Sequence, residues 1–248
     1  MKNIRFVLCT LFFVLCPFVA SQAVDIPKQG FGLQIGWAQP VLRINEPGNV
    51  ATKDSLSRNI HLNGFKVGLI YDASYVAGFG SSMGINYTFG VSNSGWEKTY
   101  PNSDLHHNRT LITYHELELF VDWQYKFEIA KETYLMLYTG PTIQLGAELN
   151  MRRDTKEENF NTGEVTLTYG DRSCAYTTDK NDEAMKRINV TWGVGAGFQY
   201  KRYFLRGGYD FGLIVPYKNA DFENGDYHTR GRLDQWAVKI GMYLWYAD

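Results

Sequence analysis

The sequence contains few cysteines and prolines, and its acidic and basic residues nearly balance. Three cysteines occur among 248 residues, and two of them, Cys9 and Cys16, precede a predicted cleavage site after Ala23. Only Cys174 would remain, which excludes an internal disulfide in the mature chain. Seven prolines against 24 glycines leave strands uninterrupted and favour tight turns. With 25 basic and 26 acidic residues and no basic patch, we expect no nucleic-acid partner.

Long apolar runs are also lacking, except at the N-terminus. Residues 1–23, MKNIRFVLCTLFFVLCPFVASQA, have two basic residues, then an apolar run, then the small-residue site Ser21-Gln22-Ala23. This pattern is typical of a secretory signal peptide. The alternative is a retained anchor, but the run is shorter than the ~20 residues that a spanning helix needs. We therefore predict a signal peptide over residues 1–23 and one exported domain over residues 24–248.

Apolar and polar residues alternate along eight stretches of the remaining chain. In LITYHELELFVDWQYKF, Leu111–Phe127, one face is mostly apolar and the other carries Glu116, Glu118 and Asp122. Side chains alternate across a strand, so this period of two predicts β-structure. The second faces are rich in glycine and small polar residues, as expected inside a narrow curved sheet. The eight stretches are Gly30–Gln39, Ile60–Tyr71, Tyr75–Val91, Leu111–Phe127, Tyr134–Leu149, Ile188–Tyr200, Tyr203–Val215 and Trp236–Tyr246.

Short and long connections alternate between these predicted strands. The short turns are predicted at Asp72–Ser74, Glu128–Thr133 and Lys201–Arg202. An even number of up-and-down strands then places all short turns and both termini at one end. The other four links are long: Pro40–Asn59, Ser92–Asn108, Met151–Arg187 and Pro216–Gln235.

The longest link contains a further β pattern. Val165, Leu167 and Tyr169 alternate with polar residues, and the turn signal Gly170-Asp171 follows. The segment is too short to span a membrane, so we predict a hairpin outside it. The remainder of the link is charged and of mixed sign, as in a solvated surface.

Strands of this length with an apolar outer face suit a membrane only as a closed barrel. In lipid every backbone polar group must be paired internally, and a spanning strand needs ~9–11 residues. We therefore predict an all-β, eight-stranded antiparallel up-and-down transmembrane β-barrel. A secreted soluble barrel of the lipocalin kind is the alternative, but it would place its apolar residues inside.

Aromatic residues near the strand ends predict two rings at the membrane interfaces. Beside the short turns the ring comprises Phe31, Tyr71, Tyr75, Trp123, Tyr125, Phe127, Tyr200, Tyr203 and Tyr246. At the opposite end it comprises Trp37, Phe89, Trp192 and Trp236.

Charged residues on the inner face predict one ion-paired network that closes the lumen. A narrow interior must pair its charges, because an unpaired buried charge is costly. Eight strands leave room only for side chains, so an open pore is not expected. A paired-carboxylate catalytic site was the alternative for the same residues. The predicted network consists of Lys66, Glu116, Glu118, Asp122, Lys126, Arg206, Asp210 and Lys239.

The signal peptide, the eight strands and the unequal links together resemble the small outer-membrane β-barrel family. That family includes the OmpA transmembrane domain, OmpX-like barrels and Bacteroidetes-type outer membrane β-barrel domains, and the resemblance covers residues 30–246. It implies an outer-membrane location, contact with outer-membrane lipid, insertion by the outer-membrane assembly machinery, and an unidentified extracellular ligand for the long loops. Such barrels often end on an aromatic residue; here the end is YLWYAD, with Tyr246 expected on the lipid face.

No residue pattern predicts a catalytic site, a cofactor or a metal. His61, His106, His107 and His228 lie in or near long links, and the adjacent pair would point apart in a strand. His115 has the height expected for a lipid-modifying enzyme, but no Ser and acid are placed beside it, as acyl transfer would need. We predict a structural or surface-interaction protein. The alternatives are a narrow porin-like channel and an outer-membrane lipid-modifying enzyme.

Overall fold

The computed structural model describes residues 29–45, 57–93, 95–98, 105–174, 176, 185–215 and 230–247. The predicted signal peptide and His228 lie outside these ranges. In the described ranges no helix has the length and apolar character that a membrane crossing requires. The strands there are β1 (Gln29–Asn45), β2 (Ser57–His61), β3 (Gly64–Val76), β4 (Phe79–Asn93), β5 (Glu97–Lys98), β6 (His106–Ala130), β7 (Thr133–Glu158), β8 (Val165–Cys174), β9 (Ile188–Tyr200), β10 (Tyr203–Gly212) and β11 (Arg230–Ala247).

Eight of these strands form a closed antiparallel ring. The order is β1–β3–β4–β6–β7–β9–β10–β11, and β11 pairs back onto β1 along its whole length. The predicted eight-stranded barrel is therefore confirmed. The three remaining strands are additions: β2, β5 and β8 pair with the ends of β1, β6 and β7 that lie away from the short turns.

The pairing register gives the shear of the ring. The circuit that starts at Gln29 passes through Ala73, Ser81, Trp123, Thr139, Val194, Tyr209 and Trp236, and returns to β1 at Gln39. It returns ten residues further along the same strand. The strands are therefore strongly tilted, and a ring of this size has an interior just wide enough for side chains.

Burial alternates along the ring strands as the sequence pattern predicts. On β1, Leu33 and Ile35 are 45% and 48% exposed, whereas Gln34 between them is 1% exposed. The apolar residues face outward and the polar residues face the lumen. In a soluble barrel the apolar residues would face inward. The observed orientation, with apolar residues outward, is the one that a lipid environment requires.

The first short turn lies at Ala77-Gly78, so the predicted turn at Asp72–Ser74 was wrong. Both turn residues have positive φ, 48° and 86°, as the favoured two-residue hairpin turns demand. Asp72 instead lies within β3, opposite Ser82. The turn between β6 and β7 falls within the predicted Glu128–Thr133 link, and the Lys201–Arg202 turn between β9 and β10 is confirmed.

Two ring strands are much longer than a membrane crossing needs. β6 has 25 residues and β7 has 26, against ~9–11 for a tilted spanning strand. Their excess length forms a sheet with β5 and β8 beyond the barrel rim. The hairpin predicted there exists, but it is formed by β7 and β8. Its turn lies between Glu158 and Val165. β8 continues through Gly170-Asp171 with a shift of register there, so the predicted turn at that dipeptide was wrong.

A bulge near the C-terminus reverses the orientation of the last residues. Phe31 pairs with Trp245 but Gly32 pairs with Tyr243, so Leu244 is an extra residue on β11. Trp245 is consequently 51% exposed on the outside. Tyr246 faces inward, where its hydroxyl accepts a hydrogen bond from the amide of Gln199. The prediction that Tyr246 lies on the lipid face was wrong.

Candidate functional site

Three ion pairs occupy the lumen. The pairs are Lys66–Glu118 at 2.6 Å, Lys126–Asp72 at 2.6 Å and Arg206–Asp122 at 2.7 Å. No side chain among the six is more than 7% exposed. Each pair joins strands that are not neighbours in the ring. The Lys66 and Lys126 pairs join β3 to β6 past the intervening β4, and the Arg206 pair joins β10 to β6.

Glu118 is the centre of the first group. Both of its carboxylate oxygens accept from Lys66, at 2.6 and 2.7 Å. Gln235 donates to it at 2.7 Å and Asn86 at 3.2 Å. Gln34 in turn donates to the side-chain oxygen of Asn86 at 2.6 Å. The sequence interpretation considered only charges and missed these amides, although they occupy the same inward positions in the alternation.

Asp72 is the centre of the second group. It accepts from the ammonium of Lys126 at 2.6 Å, from the hydroxyl of Tyr243 at 2.6 Å, and from the amide of Gln124. Sequence analysis missed Asp72 because it placed this residue in a turn. The inward parity of Lys66 and Gly68 on the same strand was the signal that could have found it.

Arg206 is the centre of the third group. Its guanidinium donates to Asp122 at 2.7 Å and to the hydroxyl of Ser82 at 3.0 Å. The same group lies 4.0 Å from the ring centroid of Tyr138. The cation is thus enclosed by an anion, a hydroxyl and an aromatic face.

The remaining members of the predicted network are placed differently. The Lys239 ammonium lies 5.0 Å from the ring centroid of Phe120, a cation–π arrangement. Within the described residues Glu116 and Asp210 take part in no salt bridge, although Glu116 is only 6% exposed. The structure thus arranges the lumen charges around three centres, in place of the single network that parity alone suggested.

Apolar clusters fill the space around the ion pairs. One cluster lies beyond the Glu118 group, towards the end with the long links. A second packs among the Asp72 and Arg206 groups. The first consists of Leu42, Leu62, Ile112, Tyr114, Leu149 and Met185, and the second of Ile70, Phe120, Met136, Phe204 and Tyr243.

The aromatic residues outside do not separate cleanly into the two predicted rings. The rings of Trp123 and Trp192 lie 5.8 Å apart, although the prediction put them at opposite interfaces. The reason is that Trp123 lies eight residues before the turn at Lys131 and Trp192 nine residues before the turn at Lys201, so both are similarly far from the short turns. At the short-turn end, Tyr75 lies 6.3 Å from Phe79, and Tyr125 lies 4.5 Å from Phe127.

The other predicted ring residues are distributed as follows. Exposed outward-facing residues include Phe31, Tyr200 and Tyr203 near the short turns, and Trp37, Phe89 and Trp236 towards the opposite end. Tyr71 is half-buried on β3.

His115 contacts a phenol and a carboxylate on the outer surface of the barrel. Its Nδ1 lies 2.5 Å from the hydroxyl of Tyr87, and its Nε2 lies 3.9 Å from Glu148. Its ring is also 5.0 Å from that of Phe89. Sequence analysis missed both polar partners because they lie on different strands, β4 and β7.

Beyond the rim, two buried aspartates are each held by two arginines. Asp154 accepts from Arg109 at 2.6 Å and pairs with Arg152 at 2.9 Å. The hydrogen bond from Arg109, followed by that from Arg152, holds the pKa of Asp154 below its usual value, despite opposing desolvation. The sequence signal is Arg-x-Asp, since residues two apart share a face of a strand.

The second aspartate has the same surroundings. Asp234 pairs with Arg43 at 2.9 Å and with Arg232 at 2.8 Å, and it also accepts from the hydroxyl of Tyr209 at 2.8 Å. The Arg43 and Arg232 side chains are 43% and 46% exposed, whereas Asp234 is fully covered. We call these two groups, Arg109–Asp154–Arg152 and Arg43–Asp234–Arg232, the arginine clusters.

No grouping of His, Cys, Asp and Glu in the described part of the chain has the geometry to hold a metal ion. The thiol of Cys174 is free and half-buried. The notable chemistry of the molecule is therefore the ion pairing inside the barrel and the arginine clusters outside it.

Comparison with protein families gives a match over residues 31–215 to the outer membrane protein beta-barrel domain. The chain belongs to this family. Members of this outer-membrane barrel family lie in the membrane, so the chain is an outer-membrane protein, and its apolar outer face is its lipid face. No curated protein sequence matches the chain.

Solved outer-membrane barrels show similarity at low identity. Neisserial surface protein A is 12% identical, with a TM-score of 0.39, and the match covers 87% of this chain and 97% of that one. Ail, the attachment invasion locus protein of Yersinia pestis, in complex with the heparin analogue sucrose octasulfate, is 10% identical with a TM-score of 0.37. That match covers 88% of this chain and 99% of Ail. The N-terminal barrel of Pseudomonas aeruginosa OprF is 9% identical with a TM-score of 0.25, covering 85% and 97%.

Proposed function

We propose that this outer-membrane barrel is a closed surface protein that conducts no solutes and acts through its parts outside the membrane. The observation that carries the proposal is the set of three buried ion pairs inside the lumen. Together with the apolar clusters, they occupy the space through which a solute would have to pass. The protein would then serve as a rigid support for the extended strands and long links.

Burial distinguishes this lumen from a water-filled one. The side chains of Lys66 and Glu118 are each 2% exposed, so their mutual contact replaces hydration. In a water-filled channel, charged side chains keep much of their hydration and contribute little through pairing. Here Glu118 and Asp72 each accept from several donors, and Asp122 accepts from the guanidinium of Arg206. Such contacts offset the desolvation of a buried ion.

Conductance and stability measured on the same variant test the proposal. Arg206→Ala removes the cation that pairs with Asp122, so a closed lumen predicts a strong loss of stability. The matched control is Lys131→Ala, at the exposed β6–β7 turn, which should change nothing. The parent protein should give no steady current in a planar bilayer. Steady single-channel conductance of the parent, with unchanged stability of Arg206→Ala, would instead establish the porin-like channel.

The end of the barrel with the long links should carry the interactions with extracellular partners, because the short turns belong to the periplasmic side. Outer-membrane barrels have short periplasmic turns and longer extracellular loops. By that rule, the β5–β8 sheet and the long links face the cell exterior. The extra length of β6 and β7 would then hold this sheet clear of the membrane.

The lipid-modifying enzyme is the second candidate, and the contact of His115 with Tyr87 and Glu148 is the observation that favours it. We assign this contact a structural role, because the described partners of His115 include no serine, threonine or cysteine nucleophile. Tyr87→Phe and His115→Phe should leave the lipids of a reconstituted membrane unaltered, as the parent does. Release of fatty acid or acyl transfer by the parent, lost in both variants, would establish the enzyme.

A further inference from the structure

The two arginine clusters lie on the outward-facing side of the strands, beyond the short-turn half of the barrel and towards the long links. On β11, Arg232 and Asp234 precede Trp236 at steps of two residues, so all three side chains share the outer face. Gln39 and Arg43 continue the outer face of β1 in the same way. Trp236 is 37% exposed, and its indole donates to Gln39 at 2.6 Å, as expected for an interfacial tryptophan with one polar edge.

The second cluster lies on the outward face of the long strands β6 and β7, eight residues from Leu117. Arg109 shares its face of β6 with Leu117 and Leu119, which are 36% and 40% exposed towards lipid. Arg152 lies opposite Leu111 in the β6–β7 pair. The side chains of this cluster therefore point outward over the membrane surface, away from the barrel axis.

Each cluster presents more positive than negative charge. Two guanidinium groups share one carboxylate in both cases, which leaves one net positive charge per cluster. Lys156 and Arg172 add to the second cluster: the register places Lys156 beside Leu167 and Arg172 opposite Arg152. Among the described residues, Lys156 forms no ion pair. These outer faces are basic although the whole chain has a net charge of -1.

The second cluster also borders a shallow cavity of about 460 Å³. Arg109 lies 4.7 Å from the Trp96 ring, and Arg152 lies 5.6 Å from the Tyr169 ring. Arg109, Lys156, Trp96 and Tyr169 all line the cavity. The carboxylate of Asp154 and the two rings hold the guanidinium groups in place, so little rotamer entropy remains to be lost on binding.

We propose that the two arginine clusters bind the phosphate-bearing saccharide headgroups of lipids in the outer leaflet. Guanidinium groups match the geometry of phosphate oxygens and bind them through paired hydrogen bonds. The outer leaflet supplies such groups at the level where the clusters lie. A sugar ring can pack on the exposed aromatic and aliphatic side chains of the cavity. The inference names a partner for the proposed surface role and rests on that proposal only for the orientation of the barrel.

The face on which the clusters lie favours a membrane lipid over a soluble glycan. A ligand from the medium would be met best by residues at the top of the long links. The clusters instead continue the outward face that contacts lipid, and the first begins two residues from the interfacial Trp236. A headgroup attached to a lipid in contact with the barrel wall is thus held beside them at high effective concentration.

The test measures how much phosphorylated outer-leaflet glycolipid stays bound to the full-length folded protein in detergent. The triple variant Arg152→Gln/Lys156→Gln/Arg232→Gln removes charge but leaves each aspartate one arginine. The matched control is Arg153→Gln, which alters the neighbouring residue on the opposite face of β7. Folding of every variant is checked by the change in gel mobility on boiling. We expect the triple variant to bind the glycolipid roughly tenfold or more weakly at low salt, and the control to bind as the parent does.

Two comparisons decide the result. The same glycolipid with its phosphates removed should bind the parent as weakly as it binds the triple variant, and added salt should reduce the difference between the proteins. Equal binding of the two glycolipids by the parent would overturn the proposal, as would an equal loss in Arg153→Gln. The parent could instead bind a soluble sulfated polysaccharide more tightly than the triple variant does, and bind no glycolipid. That result would also overturn the proposal and identify a soluble glycan as the partner. Conductance plays no part in these readouts, so failure here is distinct from failure of the closed-lumen proposal.

Discussion

The ammonium of Lys66 lies 2.6 and 2.7 Å from the two carboxylate oxygens of Glu118, although β3 and β6 are not neighbours in the ring. The intervening strand, β4, contributes Asn86 to the same carboxylate. The pair therefore ties together a three-strand segment of the wall from the inside. It is the most completely hydrogen-bonded of the three lumen ion pairs.

Removing one member of this pair should destabilise the barrel strongly. Lys66→Ala leaves the Glu118 carboxylate buried and without its cation, at an expected cost of ~3–5 kcal/mol in the free energy of unfolding. Lys66→Met combined with Glu118→Gln should recover most of this loss, because no charge then remains unpaired. Urea unfolding followed by gel mobility measures both variants.

An exposed ion pair provides the control for that experiment. Lys201 and Glu132 lie 3.8 Å apart at the short-turn end, with side chains 55% and 53% exposed. Lys201→Ala should change the free energy of unfolding by only ~0–1 kcal/mol. A comparable loss in Lys66→Ala and Lys201→Ala would show that the lumen pair is hydrated.

Close packing between strands should make Gly140 intolerant of a side chain. A Cβ built at this position would overlap the backbone oxygen of Val121 and lie 2.7 Å from the Cα of Asp122, and backbone atoms cannot move aside cheaply. Gly140→Ala should lower stability by ~1–3 kcal/mol. Gly207→Ala is the matched variant, since its Cβ would meet nothing nearer than 4.0 Å. Equal stability of the two variants in urea would contradict the packing described here.

Acid should loosen the β7–β8 hairpin before it affects the membrane-embedded ring. The two arginines lower the pKa of Asp154. Its stabilising contribution is therefore complete above the ordinary aspartate pKa of ~3.9 and disappears as the pH falls through the lower, folded-state value. Amide hydrogen exchange in β8, corrected for intrinsic rates, should accelerate over that acidic range.

Replacement of the aspartate should remove this pH dependence. Asp154→Asn should exchange faster in β8 already at neutral pH and change little on acidification. Protection that is equal in parent and variant at neutral pH would mean that the arginine cluster does not hold the hairpin.

Epitope insertion should reveal the orientation of the barrel in cells. A tag placed after Thr162, in the exposed turn between β7 and β8, should be labelled by antibody on intact cells. The same tag placed after Lys131, at the β6–β7 turn, should be labelled only after the outer membrane is permeabilised. The opposite labelling pattern would place the arginine clusters on the periplasmic side.

The number of strands and the face of each strand that points into the lumen could be predicted from the sequence, because both depend on local alternation. Lys66, Glu118 and Arg206 were assigned to the lumen by position alone, and each is at most 2% exposed. Their partners could not be assigned in the same way. Which cation meets which anion depends on the shear of the closed ring, and shear is a property of all eight pairings together.

The errors of prediction arose where local signals compete. Asp72 and Ser74 resemble turn residues, yet alternation continues through them to Ala77-Gly78, which contains no Asn or Asp to mark a turn. One extra residue, Leu244, reverses the facing of Tyr246, and a bulge of this kind has no clear sequence signature. The arginine clusters were missed because their members meet only when β1 pairs with β11 and β6 pairs with β7.

The closed circuit of ten residues also restricts how this barrel can be misassembled. A slip of one residue between any two strands would turn one strand inside out and expose its charges to lipid. Slips must therefore occur in steps of two, which would change the circuit to eight or twelve. Because Lys66 meets Glu118 across β4, a slip of this kind in the β3–β4 or β4–β6 pairing would move the ammonium two residues away from its carboxylate. The three lumen pairs therefore form only when the strands that carry them are paired in the correct register.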